Sequence, residues 1–371
     1  MTRHEVTHAK RVVIKVGSST LTGSAGDALD ESAVEALVNI VGTLRARGAE
    51  VVIVSSGAIA AGLAPLGLKV RPRDLATQQA AASVGQGRLI ASYNRAFDQH
   101  QIIASQVLLT IDDVVRRSHY QNAQRTLFRL IQLGVVPIIN ENDSVGVSEI
   151  RFGDNDRLAA LVSHLIGADL LVLVTDVDGL YDAPPSHDGA KRISSVPDVS
   201  HLGDIEIGGV GSSGVGSGGM VTKIEAARIA TGAGVNMLLT TLSQLPAALT
   251  GADVGTIFNA RTDRKPSRLL WLAHAATPHG KLLLDAGATT AIKERGTSLL
   301  AAGVDGVEGE FIAGDTVELL SPSREVVARG LVAFDSSEIP AMLGKTTKQL
   351  AQELGPEYER ELVHRDDLVL L

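Results

Sequence analysis

Up to about residue 260, the chain alternates short apolar runs, rich in Val and Ile, with longer amphipathic segments. The predicted strands are residues 11–16, 50–54, 102–109, 135–139, 170–174 and 235–239. Helical periodicity fills the intervals, as in residues 31–47 and 120–133, which end at Gly48 and Gly134. Runs that are apolar on both faces and separated by helices are typical of a covered parallel sheet. The pattern predicts an α/β/α sandwich with a mainly parallel central sheet and ligands at the carboxyl ends of its strands.

The pattern changes after about Arg261. A basic connector with a proline, residues 261–268, precedes Trp271 and a region of short strands separated by turn residues. The predicted strands of this region are residues 281–285, 307–311, 316–320, 326–334 and 368–371. We therefore expect a first domain at residues 1–260, a connector at 261–278, and a small mostly-β barrel at 279–371.

Composition narrows the classes of function. The chain has 371 residues, no cysteine and a formal net charge of −8. The lack of cysteine excludes disulfides, thiolate nucleophiles and cysteine metal sites, and it fits a reducing compartment, so we expect a cytoplasmic protein. The start of the chain is polar, its first apolar run is interrupted by Lys15, and no other run is long enough for a membrane span. We expect no membrane partner.

The acidic charge is concentrated in the second domain. Residues 279–371 contain 9 Lys and Arg residues against 16 Asp and Glu residues, a net charge of −7. Proteins bind nucleic acids largely by neutralising phosphates with Lys and Arg. This charge balance therefore argues against a nucleic-acid partner.

A glycine-crowded loop ends in Ser217-Gly218-Gly219-Met220-Val221-Thr222-Lys223 and leads into the helical pattern of residues 224–230. Glycine backbone can close around phosphate oxygens, N–H groups at a helix start point towards them, and lysine adds a full charge. The G-x-G-x-x-G matches from Gly209 and from Gly214 do not directly follow a convincing strand, and the P-loop order is absent. The loop is either a phosphate site of another kinase type or a flexible linker.

Lysine and small polar residues also accompany the first two predicted strands. Lys15 lies within the first apolar run, where a buried ammonium group needs an anion to offset its lost hydration. On an edge strand, Lys15 could instead reach water. Ser55-Ser56-Gly57 leads into a run of small residues that ends at Gly62. This run is either an anion-binding site at a helix start or a site of tight packing.

Amides and carboxylates cluster after the fourth strand. Residues 140–144 read Asn-Glu-Asn-Asp-Ser, and residues 152–157 read Phe-Gly-Asp-Asn-Asp-Arg. Asp143 and Asn155 could bind an α-amino group and a carboxylate, whereas capping of a helix at residues 158–166 explains only one of the polar residues. After the fifth strand, residues 175–179 form either the edge of a nucleotide site or a simple turn.

Two lysines far apart in sequence, glycine loops and carboxylates at strand ends indicate phosphoryl transfer by positioning and charge neutralisation. No general base is obvious among these residues. None is required if the acceptor is a carboxylate, because that group is already ionised at neutral pH.

The order of these motifs resembles that of the glutamate 5-kinases in the amino acid kinase family. The motifs are Lys15-Val16-Gly17-Ser18-Ser19, Ser55 to Gly62, Asn140-Glu141-Asn142-Asp143, Gly153-Asp154-Asn155-Asp156 and Ser217 to Lys223. They extend over nearly the whole chain together with the second domain, which is similar to the PUA domain of bacterial forms. The Asn-Glu-Asn-Asp segment separates this group from relatives that act on aspartate, N-acetylglutamate, carbamate or UMP.

The resemblance implies ATP-dependent phosphorylation of the side-chain carboxylate of L-glutamate to L-glutamyl 5-phosphate, the first step towards proline. ATP and Mg²⁺ would be the cofactors. The resemblance also implies feedback inhibition by proline, a homo-oligomer, and coupling to glutamyl phosphate reductase.

The resemblance also assigns roles to individual residues. Lys15 and Lys223 would neutralise the transferred phosphoryl group, and Asp156 would orient both lysines. The ATP-binding residues would be Lys15, Thr175, Asp176, Ser217, Gly218, Gly219, Met220, Val221, Thr222 and Lys223. The glutamate-binding residues would be Ser56, or its neighbour Ser55, with Asp143 and Asn155. No residue is assigned as a metal ligand.

Two other classes of function stay open. An RNA-associated protein could keep the kinase fold as a scaffold, but RNA-binding surfaces need clustered Lys and Arg with stacking aromatic residues. The second domain carries a charge of −7, and Trp271 lies before it. An amino-acid sensor without catalysis would be expected to lack one of the two lysines, and both are present.

Overall fold

The computed structural model shows two compact units, Met1–Arg264 and Lys265–Leu371. It describes residues 3–22, 28–115, 117–144, 154–183, 187, 189–204, 219–260, 272 and 278–371. Residues 261–268 of the predicted connector and Trp271 lie outside the described residues. The domain boundaries therefore stay a prediction.

The first unit is built on a central sheet of eight strands. The strands of this unit are β1 (Arg11–Val16), β2 (Glu50–Ser55), β3 (Ala104–Leu109), β4 (Val136–Glu141), β5 (Leu170–Val174), β6 (Leu180–Tyr181), β7 (Arg192–Ile193), β8 (Ser195–Val196), β9 (Asn236–Thr240) and β10 (Thr256–Phe258). The sheet order is β3-β4-β2-β1-β5-β9-β10-β8, and β6 pairs with β7 in a separate hairpin. Every neighbouring pair in the sheet is parallel except β9 with β10. The predicted mainly parallel sheet is confirmed.

Helices connect these strands. The helices of the first unit are α1 (Arg3–Val6), α2 (Ser18–Leu21), α3 (Glu31–Ala46), α4 (Ala58–Leu63), α5 (Leu75–Asp98), α6 (Ile111–Val115), α7 (Arg117–Gln132), α8 (Asp154–Leu165), α9 (Met220–Gly232) and α10 (Leu245–Leu249). Local residues define their ends. The Asp30 carboxylate accepts from the first-turn amides of α3, and Gly48 and Gly134 follow α3 and α7 with φ of 84° and 78°.

Strand β1 lies in the middle of the sheet, between β2 and β5. Its apolar side chains Val12, Val13, Ile14 and Val16 are all 0% exposed. The interpretation of Lys15 as an edge-strand residue reaching water is therefore wrong, because strands flank β1 on both sides.

Helices α4 and α5 cross at two glycines. A Cβ atom on Gly62 would overlap the carbonyl oxygen of Ala81, and one on Gly85 would overlap that of Ala58. The crossing therefore requires glycine at both positions. For Gly62, tight packing is the correct interpretation of the small-residue run after β2, and this packing holds α5 close to the segment that contains Ser56.

The second unit contains a five-stranded sheet. Its elements are β11 (Gly280–Leu284), α11 (Ala286–Arg295), β12 (Val304–Gly309), β13 (Thr316–Leu320), β14 (Val326–Leu331), α12 (Thr347–Glu353) and β15 (Leu368–Leu370). The order β12-β11-β13-β14-β15 is antiparallel except for β11 with β13. A separate apolar core includes Leu282, Val317 and Leu350, each 0% exposed. The predicted small mostly-β domain is confirmed, with α11 and α12 packed into it.

Candidate functional site

The predicted site residues that the structure describes belong to elements at the carboxyl edge of the central sheet. Strands β1, β2, β4 and β5 are parallel, so their carboxyl ends meet at one edge. The described residues are Lys15, Ser56, Asp143, Asn155, Asp156, Thr175, Asp176, Gly219, Met220, Val221, Thr222 and Lys223. Ser217 and Gly218, also predicted for ATP, lie outside the described residues.

Three buried charged groups meet where β1, α8 and α9 approach one another. Lys15 Nζ lies 2.5 Å from one carboxylate oxygen of Asp156, and Lys223 Nζ lies 3.6 Å from the other. Thr222 Oγ1 donates a hydrogen bond of 3.0 Å to that second oxygen. Lys15, Asp156 and Lys223 are only 7%, 1% and 8% exposed. The structure thus brings together two cations and one anion that are far apart in the sequence.

The Asp156 carboxylate holds this cluster together. Burial by itself would raise the pKa of Asp156, because a low dielectric disfavours the charged form. The charges of Lys15 and Lys223 and the hydrogen bonds from Lys15 and Thr222 outweigh burial and hold the pKa below its ordinary value. Asp156 is therefore ionised at neutral pH. Two ammonium groups against one carboxylate leave a surplus positive charge, which suits a phosphoryl group.

Helix α8 is joined to α9 beside this cluster. Arg157, next to Asp156 in the sequence, donates from Nε and Nη2 to Glu225 Oε2 at 2.9 and 2.6 Å. Glu225 lies two residues after Lys223 in α9. The ion pair therefore ties the helix that carries Asp156 to the helix that carries Lys223.

A hydrogen-bonded group of amides begins at Asn155, the residue before Asp156. Asn155 Nδ2 donates to Ser56 Oγ and to Asn140 Oδ1, both at 3.1 Å. The Glu141 backbone N–H donates to Asn140 Oδ1 at 2.9 Å and to Asn155 Oδ1 at 3.3 Å. Asn140 Nδ2 in turn donates to Gln86 Oε1 at 2.8 Å. The structure therefore joins the predicted residues Ser56 and Asn155 through Asn140.

The two neighbouring serines have different surroundings. Ser55 is 0% exposed, and its Oγ donates to the Ser56 carbonyl oxygen and pairs with Tyr93 Oη, both at 3.0 Å. Ser56 Oγ instead contacts Asn155. Because the Ser55 hydroxyl is engaged inside the core, the geometry favours Ser56 as the residue that faces a ligand.

Asp143 lies near an arginine that the sequence motifs did not indicate. Burial lowers the pKa of the half-buried Arg71, and the negative charge of Asp143 partly offsets this effect. Arg71 lies between α4 and α5, far from Asp143 in the sequence. No local pattern could have paired them, because the interaction depends on the fold of the α4–α5 segment.

Thr175 and Asp176 lie at the end of β5. Thr175 is 7% exposed; its backbone N–H donates to the Thr240 carbonyl at 3.0 Å, and its Oγ1 donates to Asp176 Oδ1 at 2.9 Å. Both residues line an open cavity of about 700 Å³. The other hydroxyl-bearing side chains in its wall are Ser19, Thr20, Ser32, Thr241 and Ser243.

Helix α9 begins after Gly219. Gly219 is its N-cap residue and makes no side-chain capping hydrogen bond. Val221 in the first turn is 55% exposed. As a glycine, Gly219 has no side chain to cap the first-turn N–H groups, and N–H groups at a helix start can bind phosphate oxygens.

Asn140 and Gln86 are the main site residues that sequence reasoning did not assign. Asn140 was visible as part of the Asn-Glu-Asn-Asp segment, but nothing in the sequence indicated that its side chain would be buried, at 2% exposure. Gln86 lies within the long helix α5 and has no local signal at all.

The described residues contain neither a clustered metal-ligand set nor a membrane-spanning helix. Among the described residues, no group of three or more His, Cys, Asp or Glu side chains is arranged to hold a metal ion. Within the same part of the chain, every helix is too short or too polar to cross a lipid bilayer.

Comparison with known proteins gives two family matches and many full-length relatives. The amino acid kinase family model matches residues 10–240, and the PUA domain model matches residues 280–354. The glutamate 5-kinase of Streptomyces avermitilis is 58% identical over 370 residues, covering 100% of this chain and 98% of that protein. The glutamate 5-kinase of Salinispora arenicola is 58% identical over 369 residues, covering 100% of both proteins.

A third relative and one solved structure extend the comparison. The glutamate 5-kinase of Streptomyces coelicolor is 57% identical over 369 residues, covering 100% of this chain and 98% of that protein. The crystal structure of UMP kinase from Bacillus anthracis covers 68% of this chain and 96% of its own, with a TM-score of 0.47 and 16% identity. That structural similarity is too weak to support an inference.

Proposed function

Because this chain belongs to the amino acid kinase family and, within it, to the glutamate 5-kinases, we propose that Lys15, Asp156 and Lys223 form its phosphoryl-transfer centre. The enzyme uses ATP to phosphorylate the side-chain carboxylate of L-glutamate, which gives L-glutamyl 5-phosphate and begins proline synthesis. The observation that carries the assignment of residues is the buried cluster, in which both lysines lie within 3.6 Å of the Asp156 carboxylate.

The proposed chemistry is an in-line displacement at the γ-phosphorus of ATP. A carboxylate oxygen of glutamate forms the new bond to phosphorus while the bond to the bridging oxygen of ADP breaks. The nucleophile is already ionised, so no side chain has to remove a proton. Lys15 and Lys223 stabilise the negative charge on the transferred group, and Asp156 keeps the two ammonium groups apart and in place.

The amino-acid substrate is proposed to bind on the side of Ser56, Asp143 and Asn155. The Asp143 carboxylate is a suitable partner for the α-ammonium group of glutamate, and the Ser56 hydroxyl can donate a hydrogen bond to a carboxylate. Ser56 and Asn155 are already joined by a hydrogen bond of 3.1 Å. Asn155 directly precedes Asp156 in α8, so this side of the site adjoins the charged cluster.

ATP is proposed to bind between the end of β5 and the start of α9. Thr175 and Asp176 would contact the nucleotide, and residues 219–223 would hold its phosphates, together with Ser217 and Gly218. We propose that Mg²⁺ enters as the Mg–ATP complex. A Mg²⁺ ion commonly takes most of its ligands from phosphates and water and only one or two from protein carboxylates, so the lack of a clustered ligand set in the described residues is compatible with this substrate.

The remaining parts of the proposal rest on family membership. They are a cytoplasmic location, feedback inhibition by proline, a homo-oligomeric assembly, and coupling to glutamyl phosphate reductase. The lack of cysteine is compatible with a reducing compartment.

The proposal is tested by measuring ADP release with glutamate, aspartate, N-acetylglutamate and UMP, with and without Mg²⁺. We expect turnover with glutamate only, and only with Mg²⁺. Lys15→Ala and Lys223→Ala should each lower kcat by about 10²- to 10³-fold, because each removes a preorganised charge. Lys191→Ala, at an exposed lysine that is not among the predicted site residues, is the matched control. Comparable turnover of another acceptor, or near-normal kcat in a folded Lys15 or Lys223 variant, would contradict the proposal.

A further inference from the structure

Three amide side chains link helix α5 to the Ser56 hydroxyl. Gln86 Oε1 accepts from Asn140 Nδ2 at 2.8 Å, and Asn140 Oδ1 accepts from Asn155 Nδ2 at 3.1 Å. The same Asn155 Nδ2 donates to Ser56 Oγ at 3.1 Å. Gln86 and Asn140 are 9% and 2% exposed. We call this set the amide chain.

The direction of the amide chain is determined by one backbone group. The Glu141 N–H can only donate, and it points to Asn140 Oδ1 at 2.9 Å. That atom must therefore be oxygen, which places Asn140 Nδ2 against Gln86. The Glu141 N–H also lies 3.3 Å from Asn155 Oδ1, which orients the Asn155 amide in the same sense, with its Nδ2 towards Asn140 and Ser56.

The end of the chain at Gln86 agrees with this direction. Gln86 Nε2 is buried, and no partner for it is found among the described residues. A buried donor without a partner is costly, so the Gln86 amide would turn over if it could. Turning it over would set Nε2 against Asn140 Nδ2, two donors facing each other. The orientation of the Gln86 amide therefore indicates that keeping Oε1 against Asn140 Nδ2 is worth more than the cost of leaving Nε2 unpaired. The Glu141 N–H imposes this orientation through Asn140.

The direction has a consequence for Ser56. Because Ser56 Oγ accepts from Asn155, the Asn155 amide does not take up the Ser56 proton, which stays available together with one further lone pair. A carboxylate offers only acceptors, and an ammonium group only donors. We propose that the amide chain keeps the Ser56 proton available for a carboxylate of the substrate, with Asn140 and Gln86 as positioning residues. This inference rests on the proposed glutamate site.

Two isosteric variants separate hydrogen-bond direction from charge. Asn155→Asp cannot donate, so Ser56 would turn its proton to the new carboxylate and present lone pairs to the substrate. Asn140→Asp still accepts from Glu141 N–H and from Asn155, and the Gln86 amide can turn over and donate its free Nε2. Both variants add one negative charge beside the same site, so each controls for the charge of the other.

The measurement is the KM for glutamate and for ATP, with kcat, in each variant confirmed folded by circular dichroism. We expect Asn155→Asp to raise the KM for glutamate by about 10- to 100-fold, as for a lost hydrogen bond to a charged group, with little change in the KM for ATP. Asn140→Asp should raise it by at most about threefold, or half a log unit. Equal increases in the two variants would overturn the inference.

Further variants keep the test decisive. If Asn140→Asp does not fold, Gln86→Glu replaces it, because a carboxyl oxygen at residue 86 still accepts from Asn140. If Asn155→Asp does not fold, Asn155→Ala replaces it and should raise the KM for glutamate by about tenfold. Ser56→Ala distinguishes the proposed glutamate site from the proposed hydrogen-bond direction. An unchanged KM for glutamate in Ser56→Ala would reject the proposed glutamate site. If Ser56→Ala raises this KM but the variants at residues 155 and 140 raise it equally, only the proposed hydrogen-bond direction is rejected.

Discussion

At the scale of the residue, Asp156 shows how one side chain can keep two cations buried. Removing a lysine or carboxylate from water costs several kcal/mol unless a partner compensates. Lys15 and Lys223 share Asp156 as that partner, and the three groups remain more than nine-tenths buried. The arrangement prepares the site for a phosphoryl group, because the two positive charges are held in position before ATP arrives.

Replacing Asp156 with Asn should destabilise the enzyme by about 3–5 kcal/mol at neutral pH, because two buried lysines lose their anion. The folded pKa of Asp156 lies below its ordinary value of 3.8. The stabilisation is therefore complete above that value and is lost as pH falls through the folded pKa. Urea unfolding between about pH 7 and pH 3 gives the free energy of unfolding of wild type and variant. The difference between the two should become smaller as the pH falls. Asp98→Asn, at an exposed aspartate of α5, is the control. A difference that does not vary with pH would contradict this account.

At the scale of the element, α4 and α5 illustrate how close packing supports a site. The two helices pass each other where Gly62 and Gly85 leave room for the backbone of the other helix. Helix α5 then supplies Gln86 to the amide chain and Tyr93 to Ser55. The spacing of these two helices therefore affects the surroundings of both serines after β2.

Adding a methyl group at the crossing should separate the helices. Gly62→Ala and Gly85→Ala should each destabilise the fold by about 1–3 kcal/mol or more, since the obstacle is a backbone carbonyl that cannot rotate away. Gly87→Ala lies on the same helix in open space, and it should instead stabilise by about 0.5–1 kcal/mol. Thermal unfolding of the three variants checks the prediction. A similar loss of stability in Gly87→Ala and Gly85→Ala would show that the helix crossing is not the cause of the destabilisation.

At the scale of the whole molecule, all the described site residues belong to the first unit. Each unit has its own apolar core, and the second unit carries a net charge of −7 over residues 279–371. An acidic surface repels a polyanion, because non-specific affinity depends on the number of phosphates neutralised by Lys and Arg. The second unit is therefore expected to support or regulate the kinase rather than to bind RNA.

A chain ending near residue 278 should fold and still phosphorylate glutamate, with any change confined to regulation or assembly. Residues 279–371 alone should not bind structured RNA even at about 50 mM salt, where weak electrostatic attraction is strongest. The checks are ADP release by the shortened chain and RNA titration of the isolated unit. A soluble but inactive shortened chain would extend the catalytic unit into the second one, and sub-micromolar, salt-sensitive RNA binding would overturn the charge argument.

The sequence by itself determined the longer strands and the types of chemistry, whereas the short strands β6, β7, β8 and β10 were not predicted. Strands β1 and β5 match their predicted bounds of residues 11–16 and 170–174, because a run of buried β-branched and aliphatic residues between turn residues is a local property. The same is true of the acidic second domain and of the polar residues at strand ends. Family membership also followed from motif order, and the full-length relatives confirm it.

Only the tertiary structure decided which of these residues meet. The sheet order placed β1 between two neighbours and so made Lys15 a buried partner of Asp156. The packing of α5 made Gln86 a partner of Asn140 at the end of β4, and the turn after β2 separated Ser55 from Ser56. Such contacts depend on strand order, helix crossing and register, which join residues distant in the chain. Local propensity carries no information about these pairings, because their geometry exists only once the elements have packed.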